Sequence, residues 1–127
     1  MPDSMLWNKQ AKKCTLTLQF EEGDDVLAGV ESAMKEHNIG EASLLELTGN
    51  IKEGSGNFVR GHTYNTFEFR NTPVKIATGH FKRRSDGLFC VLKIVPANGI
   101  DHVTVSRAIA ASDLVMKLSY YDFTGIQ

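Results

Sequence analysis

Four histidines, two cysteines and one basic triplet are the side chains of this 127-residue sequence best suited to chemistry. His80, Cys90 and His102 offer the imidazole and thiol groups that hold zinc, where three protein ligands and an open position yield a Lewis acid and an activated water. Their spacing follows no metal-binding pattern, which leaves His80 and His102 as candidates with zinc as the implied metal and no motif that demands it. His37 falls at the expected end of a helix, where a donor satisfies the last carbonyl groups, and His62 stands beside a glycine-rich run. Lys82, Arg83 and Arg84 form a cationic cluster able to neutralise phosphate groups of a ligand or nucleic acid. Glu46, set among Leu44, Leu45 and Leu47, either occupies an apolar pocket with a raised pKa or pairs with a cation such as Arg107 on a solvated face. No nucleophile elbow, phosphate-binding glycine loop, His-Glu-x-x-His or Cys-x-x-Cys occurs, so no catalytic residue is assigned.

Composition narrows the classes. A net charge of −1 supplies no overall field for a polyanion, and 42% hydrophobic with 23% charged residues describes a folded chain. The length suits one domain with a core that needs no disulfide or structural metal. Cys14 and Cys90 lie among apolar neighbours and read as reduced, packed thiols. No apolar run approaches a membrane span and the polar start lacks a signal-peptide core, so the expectation is a cytoplasmic protein with no membrane partner.

The elements that must position these groups follow from periodicity. Residues 14–20 alternate Leu16, Leu18 and Phe20 against Thr15, Thr17 and Gln19, the pattern of a strand with one buried face. Gly23 then hands over to Asp24-Asp25, either of which can cap a helix whose buried face carries Val26, Val30, Ala33, Met34 and His37. That helix is expected to cover the strand. Residues 50–61, with three internal glycines and polar neighbours, read as a loop with a short strand near Phe58-Val59. Residues 64–70 and 72–81 read as two adjacent antiparallel strands separated by the kink that Pro73 implies. Asp86-Gly87 marks a hairpin into an apolar strand over 89–95, and residues 96–99 mark another turn. Strands over 102–109 and 113–123 complete the chain, with residues 108–111 open between strand and helical turn. The sum is an α+β fold: residues 1–11 as a leader with Leu6-Trp7 as its apolar anchor, then one domain over 12–127 with a main helix and a curved, mostly antiparallel sheet of about seven strands.

Several of these pieces, in order, resemble the plant and prokaryote conserved (PPC) domain. They are the strand at 15–20, Gly23-Asp24-Asp25-Val26, His37-Asn38-Ile39, the run from Ala42 to Gly49, the run from Val74 to Gly79, and Ser85-Asp86-Gly87-Leu88-Phe89. The resemblance covers residues 12–123 and implies self-association as a homotrimer, with Val74, Lys75 and Ile76 on a contact strand where Lys75 replaces the usual acidic residue. It also implies a divalent-metal site made from a His-x-His pair and a third histidine. Here the pair is replaced by Cys90-Val91-Leu92-Lys93, and only His102-Val103 matches the third position. Plant members often carry a DNA-binding Arg-Gly-Arg-Pro hook, which this sequence lacks. The leading expectation is a self-associating interaction or small-ligand-binding module, with a protein partner as a further option. A DNA-binding, transcription-associated protein contacting phosphates through Lys82, Arg83 and Arg84 is the alternative. A metal-dependent enzyme with a degenerate three-histidine site, suggested by fold likeness to acetolactate decarboxylase, comes third.

Overall fold

The alternation that begins at Cys14 produces β1 (Lys12–Gln19), and Phe20 follows it into the core. The computed structural model describes residues 12–96 and 102–122. The expected leader, most of the 96–99 turn and Phe123 lie outside the described residues. After β1 the two aspartates divide the work of starting the helix. Asp24 Oδ2 accepts the Glu21 N–H at 2.8 Å and closes the preceding turn, whereas Asp25 Oδ1 accepts the Ala28 N–H at 3.1 Å and caps α1 (Val26–Glu36). Val26, Val30 and Met34 repeat every four residues and are buried. His37 departs from the expected buried face: it is the exposed C-cap, and the chain turns at Asn38 with φ 55°.

The remaining strands are β2 (Glu41–Thr48), β3 (Asn50–Arg60), β4 (Thr63–Arg84), β5 (Gly87–Pro96), β6 (Val103–Ala110) and β7 (Val115–Asp122). Two expectations are corrected. The glycine-rich run is a full strand, because Gly54 and Gly56 thin it where β6 crosses closely: an added Cβ at Gly56 would stand 2.5 Å from the Thr104 carbonyl oxygen. Residues 64–81 belong to one bent strand of 22 residues and are not two neighbours. Pro73 is tolerated at the end of the β3 pairing, and the bend is taken up by Asn71 at φ 46° and a bulge between Val74 and Ile76.

The order is β1-β7-β2-β4-β3-β6-β5, with all pairs antiparallel and a further pairing of β4 with β5. The first half of β4 pairs with β3 and the second half with β5, so β3, β4, β5 and β6 close into a ring. On the same edge of β4 that β3 occupies, β2 continues the pairing in one register and leads outward to β7 and β1. Helix α1 packs on β6 and β4. The core includes Met34, Ile51, Phe69, Phe81, Leu92, Ile94, Met116 and Leu118, each contributing about 1.5–3 kcal/mol on burial. Every buried side chain among the described residues is apolar or belongs to glycine, proline or alanine. Among those residues, no helix is long and apolar enough to cross a membrane.

Candidate functional site

With an apolar interior, the polar chemistry of the described residues lies on surfaces, and the outer face of the sheet gathers most of it. Cross-strand register sets the arrangement. One row runs Thr15, Ser119, Ser43, His80 and Val91 across β1, β7, β2, β4 and β5, a span of about 20 Å at the usual strand spacing. Two residues along, Lys13 faces Tyr121, and Glu41 faces Lys82, which in turn faces Phe89. Between Leu44 and Glu46 the pairing of β2 with β7 slips, and Leu45 is the extra residue, exposed to 53%.

His80 is the centre of this face. Its Nε2 lies 2.7 Å from Glu41 Oε2, and its Nδ1 lies 3.5 Å from Ser43 Oγ, a contact at the long limit of a hydrogen bond. The imidazole and carboxylate are each about half exposed, so the pair orders the surface more than it stabilises the fold. Beside it opens a groove of about 1060 Å³ whose lining includes Lys13, Glu41, Ser43, Leu45, His80 and Lys82. Tyr121, Arg83 and Asn38 are also among its lining residues.

The basic triplet does not form one patch. Lys82 lies on the outer face, and Arg84 stacks its guanidinium 4.6 Å over the outward Phe89 ring, as expected for alternate residues. Arg83 points the other way, with Nη2 donating to Asn38 Oδ1 at 3.3 Å beyond the helix end. Of the expected contact strand, Val74 is half-buried, Lys75 is exposed at the bulge and Ile76 is 60% exposed. Glu46 reaches Lys117 at 3.5 Å, whereas Arg107 pairs with Glu53 at 2.8 Å, so the Glu46–Arg107 pairing is corrected.

The three-ligand metal site does not fit these residues. His80 lies level with Val91, while the register of β5 with β6 continues to place His102 level with Val95, about 13 Å further along the strand. Ligands of one zinc ion stand within a few ångströms of each other. Cys90 faces the other side of the sheet, half-buried, and burial pushes its thiol up to about 11, which keeps it protonated at neutral pH. Among the described residues no three His, Cys, Asp or Glu side chains are grouped to hold a metal.

Glu41, Ser43 and Tyr121 escaped the sequence reading as members of a site. The one signal available was the polar residues alternating with apolar ones in the second and last strands, and it named no partner until β2 met β4 and β7.

No family model matches the sequence, and no curated protein matches it. Solved structures do. A metal-containing protein from Archaeoglobus fulgidus superposes with a TM-score of 0.68 at 15% identity, covering 87% of this chain and 80% of that one. A Ralstonia eutropha JMP134 protein, provisionally named DNA-binding, gives 0.66 at 14% identity over 92% and 85%. A plant- and prokaryote-conserved protein from Pyrococcus horikoshii gives 0.65 at 10% identity over 87% and 79%. The agreement covers most of each chain, and at such identities it concerns architecture alone. This chain has the fold of the PPC domain.

Proposed function

We propose that the domain is a self-associating module, assembled as a homotrimer through the outward side of β4 and β5. The observation that carries this reading is the exposure of Ile76, Phe89 and Val91 on one face of β4 and β5, with Phe89 and Val91 beside Lys82 and His80 and Ile76 beyond the Thr78–Lys93 pair. Large apolar side chains grouped in this way mark interaction surfaces. Three copies follow from the PPC resemblance, and closed cyclic symmetry covers the same patch in every copy. Lys75, exposed at the bulge beside Ile76, places a cation at the rim, where charge governs partner choice more than affinity. Light scattering over a range of concentrations is expected to give the trimer mass, and Ile76→Asp with Val91→Asp is expected to reduce it to a folded monomer. A wild-type mass equal to one chain at every concentration sinks the proposal.

A nucleic-acid reading takes second place. It draws on the relatives provisionally named DNA-binding, from Ralstonia eutropha and Bacteroides thetaiotaomicron, and on Lys82 and Arg84 sharing one face. The net charge of −1 weighs against it. On this reading the salt slope of duplex binding falls by about one for each phosphate-contacting cation removed. Identical weak binding by wild type and Lys82→Glu/Arg84→Glu removes the patch.

A further inference from the structure

We propose that the open edge of β1 is a second surface on which copies of this chain meet, pairing antiparallel so that two sheets run on as one. The inference goes beyond the trimer and does not rest on it, because β7 and β2 separate β1 from the stripe on β4 and β5.

The edge itself is the first argument. Among the described residues β1 pairs with β7 alone, and helix α1 packs on β6 and β4, further into the sheet. The Phe20 N–H donates to the Leu114 carbonyl on the β7 side at 3.1 Å. Backbone groups alternate sides along an antiparallel strand, so those of Leu18, Leu16 and Cys14 also serve β7. Those of Gln19, Thr17, Thr15 and Lys13 point to the open side. Proteins guard such edges with proline, bulges or charges within the strand. Here the register of β1 with β7 runs without a shift, and Cys14 to Gln19 contain neither proline nor a charged residue. Lys12 and Lys13 charge one end only.

Self-complementarity is the second argument, and it names the occupant. A two-fold axis at Leu16 sets Thr15 opposite Thr17 and Lys13 opposite Gln19 of the other copy, so every outward group finds a partner. Leu16 then faces its own counterpart and Cys14 faces Leu18, which extends the half-buried inner row of these residues across the seam. A slip of one residue would set outward groups against inward ones and break both matches. The ends agree in charge as well. Lys12 and Lys13 of each copy come to the end where the other carries Glu21 and Glu22. Among the described residues neither lysine nor Glu21 forms an ion pair; Glu22 is held by Lys52, and Asp122, level with Lys12, has an interaction of its own. Parallel pairing would bring like charges together instead. A contact one strand wide belongs with the weak, transient interfaces below about 1,200 Å², with a dissociation constant on the order of 0.1–1 mM. In dilute solution it leaves the mass of the assembly unchanged.

Amide hydrogen exchange of the full chain, read at about 20 µM and at about 1 mM, tests the pairing. The Thr15 and Thr17 amides are expected to exchange freely in the dilute sample and about two- to fivefold more slowly in the concentrated one, while those of Leu16 and Leu18 are slow in both. Leu16→Cys, combined with Cys14→Ser and Cys90→Ser, is expected to form disulfide-linked dimers in the concentrated sample under mild oxidation, since the Leu16 pair is of the closely spaced kind. Adding Thr17→Pro, which removes an outward N–H and spares the bonds to β7, is expected to cut that yield about tenfold. Ile76→Asp with Val91→Asp is expected to leave the yield unchanged, so either contact can fail alone. A retained urea midpoint shows that each variant is folded. Thr15 and Thr17 amides already protected in the dilute sample mean that another segment of the chain covers the edge, and overturn the proposal. So do amides left unprotected in the concentrated sample, or cross-linking that survives Thr17→Pro.

Discussion

Placing an alanine at Gly54 or Gly56 strikes the point where two strands approach most closely. An added Cβ at Gly54 would overlap the Arg107 carbonyl oxygen and come within 2.9 Å of Ala108 Cα. At Gly56 it would stand 2.5 Å from both the Thr104 carbonyl oxygen and Val103 Cγ1. Most of these atoms are the backbone of β6, held on its two sides by β3 and β5, so relief requires moving a paired strand. Overpacking that flexible side chains absorb costs about 1–3 kcal/mol, and a backbone clash belongs at or above the upper end. A loss of about 3 kcal/mol lowers the melting temperature of a domain this size by about 10 °C. Gly40→Ala is the control: its Cβ meets nothing within 4 Å, and the change mainly restricts the unfolded chain, worth about 0.4–1 kcal/mol in the stabilising direction. Urea unfolding read as a midpoint shift at constant slope measures all three variants. If Gly54→Ala and Gly56→Ala both unfold within about 0.5 kcal/mol of the parent chain, residues 50–60 do not lie against β6 and the loop reading of the sequence is restored.

Two further outcomes follow from local chemistry. Asp25→Ala removes the side-chain acceptor of the Ala28 N–H and is expected to cost about 1 kcal/mol by urea unfolding, while Asp25→Asn retains most of it. Burial raises the Cys90 thiol from 9.0 to about 11, so its neutral form is the one folding favours. That contribution is complete below pH 9, is lost as pH rises through about 11, and is absent in Cys90→Ala. Alkylation of Cys90 by iodoacetamide is correspondingly slow at about pH 8, and rapid reaction in the folded protein refutes the burial argument.

Local patterns made part of this fold legible. The alternation of Leu16, Leu18 and Phe20, the Asp24-Asp25 helix start and the Asp86-Gly87 hairpin each act within a few residues, and each appears in the structure close to its expected place. Residues 50–61 misled because glycine was read through its turn chemistry, whereas here its missing side chain serves a strand about fifty residues later. Pro73 misled similarly, since its cost depends on whether a partner needs its N–H, and β3 ends its pairing there. The candidate groove was the least legible part. His80 could be picked by type, but Glu41 and Ser43 join it only because β2 and β4 pair in one register, and a slip of one residue would turn their side chains to the opposite face.

The pairing of β1 with β7 has a consequence for how the chain folds. Lys12 faces Asp122, so positions more than a hundred residues apart become lateral neighbours, and the polypeptide enters and leaves the sheet at one corner. Closing a loop of that length costs about 4 kcal/mol of chain entropy, which the eight matched residue pairs must offset on formation. Within the ring the β3–β4 and β4–β5 hairpins form through short turns, the β3–β6 pairing closes a loop of about fifty residues, and the β1–β7 zipper is the event of highest contact order. A covalent link between the two ends would remove that entropy cost from the unfolded state. It would also favour circularly permuted versions of the protein opened at the Gly61-His62 hairpin, where both strands run into solvent.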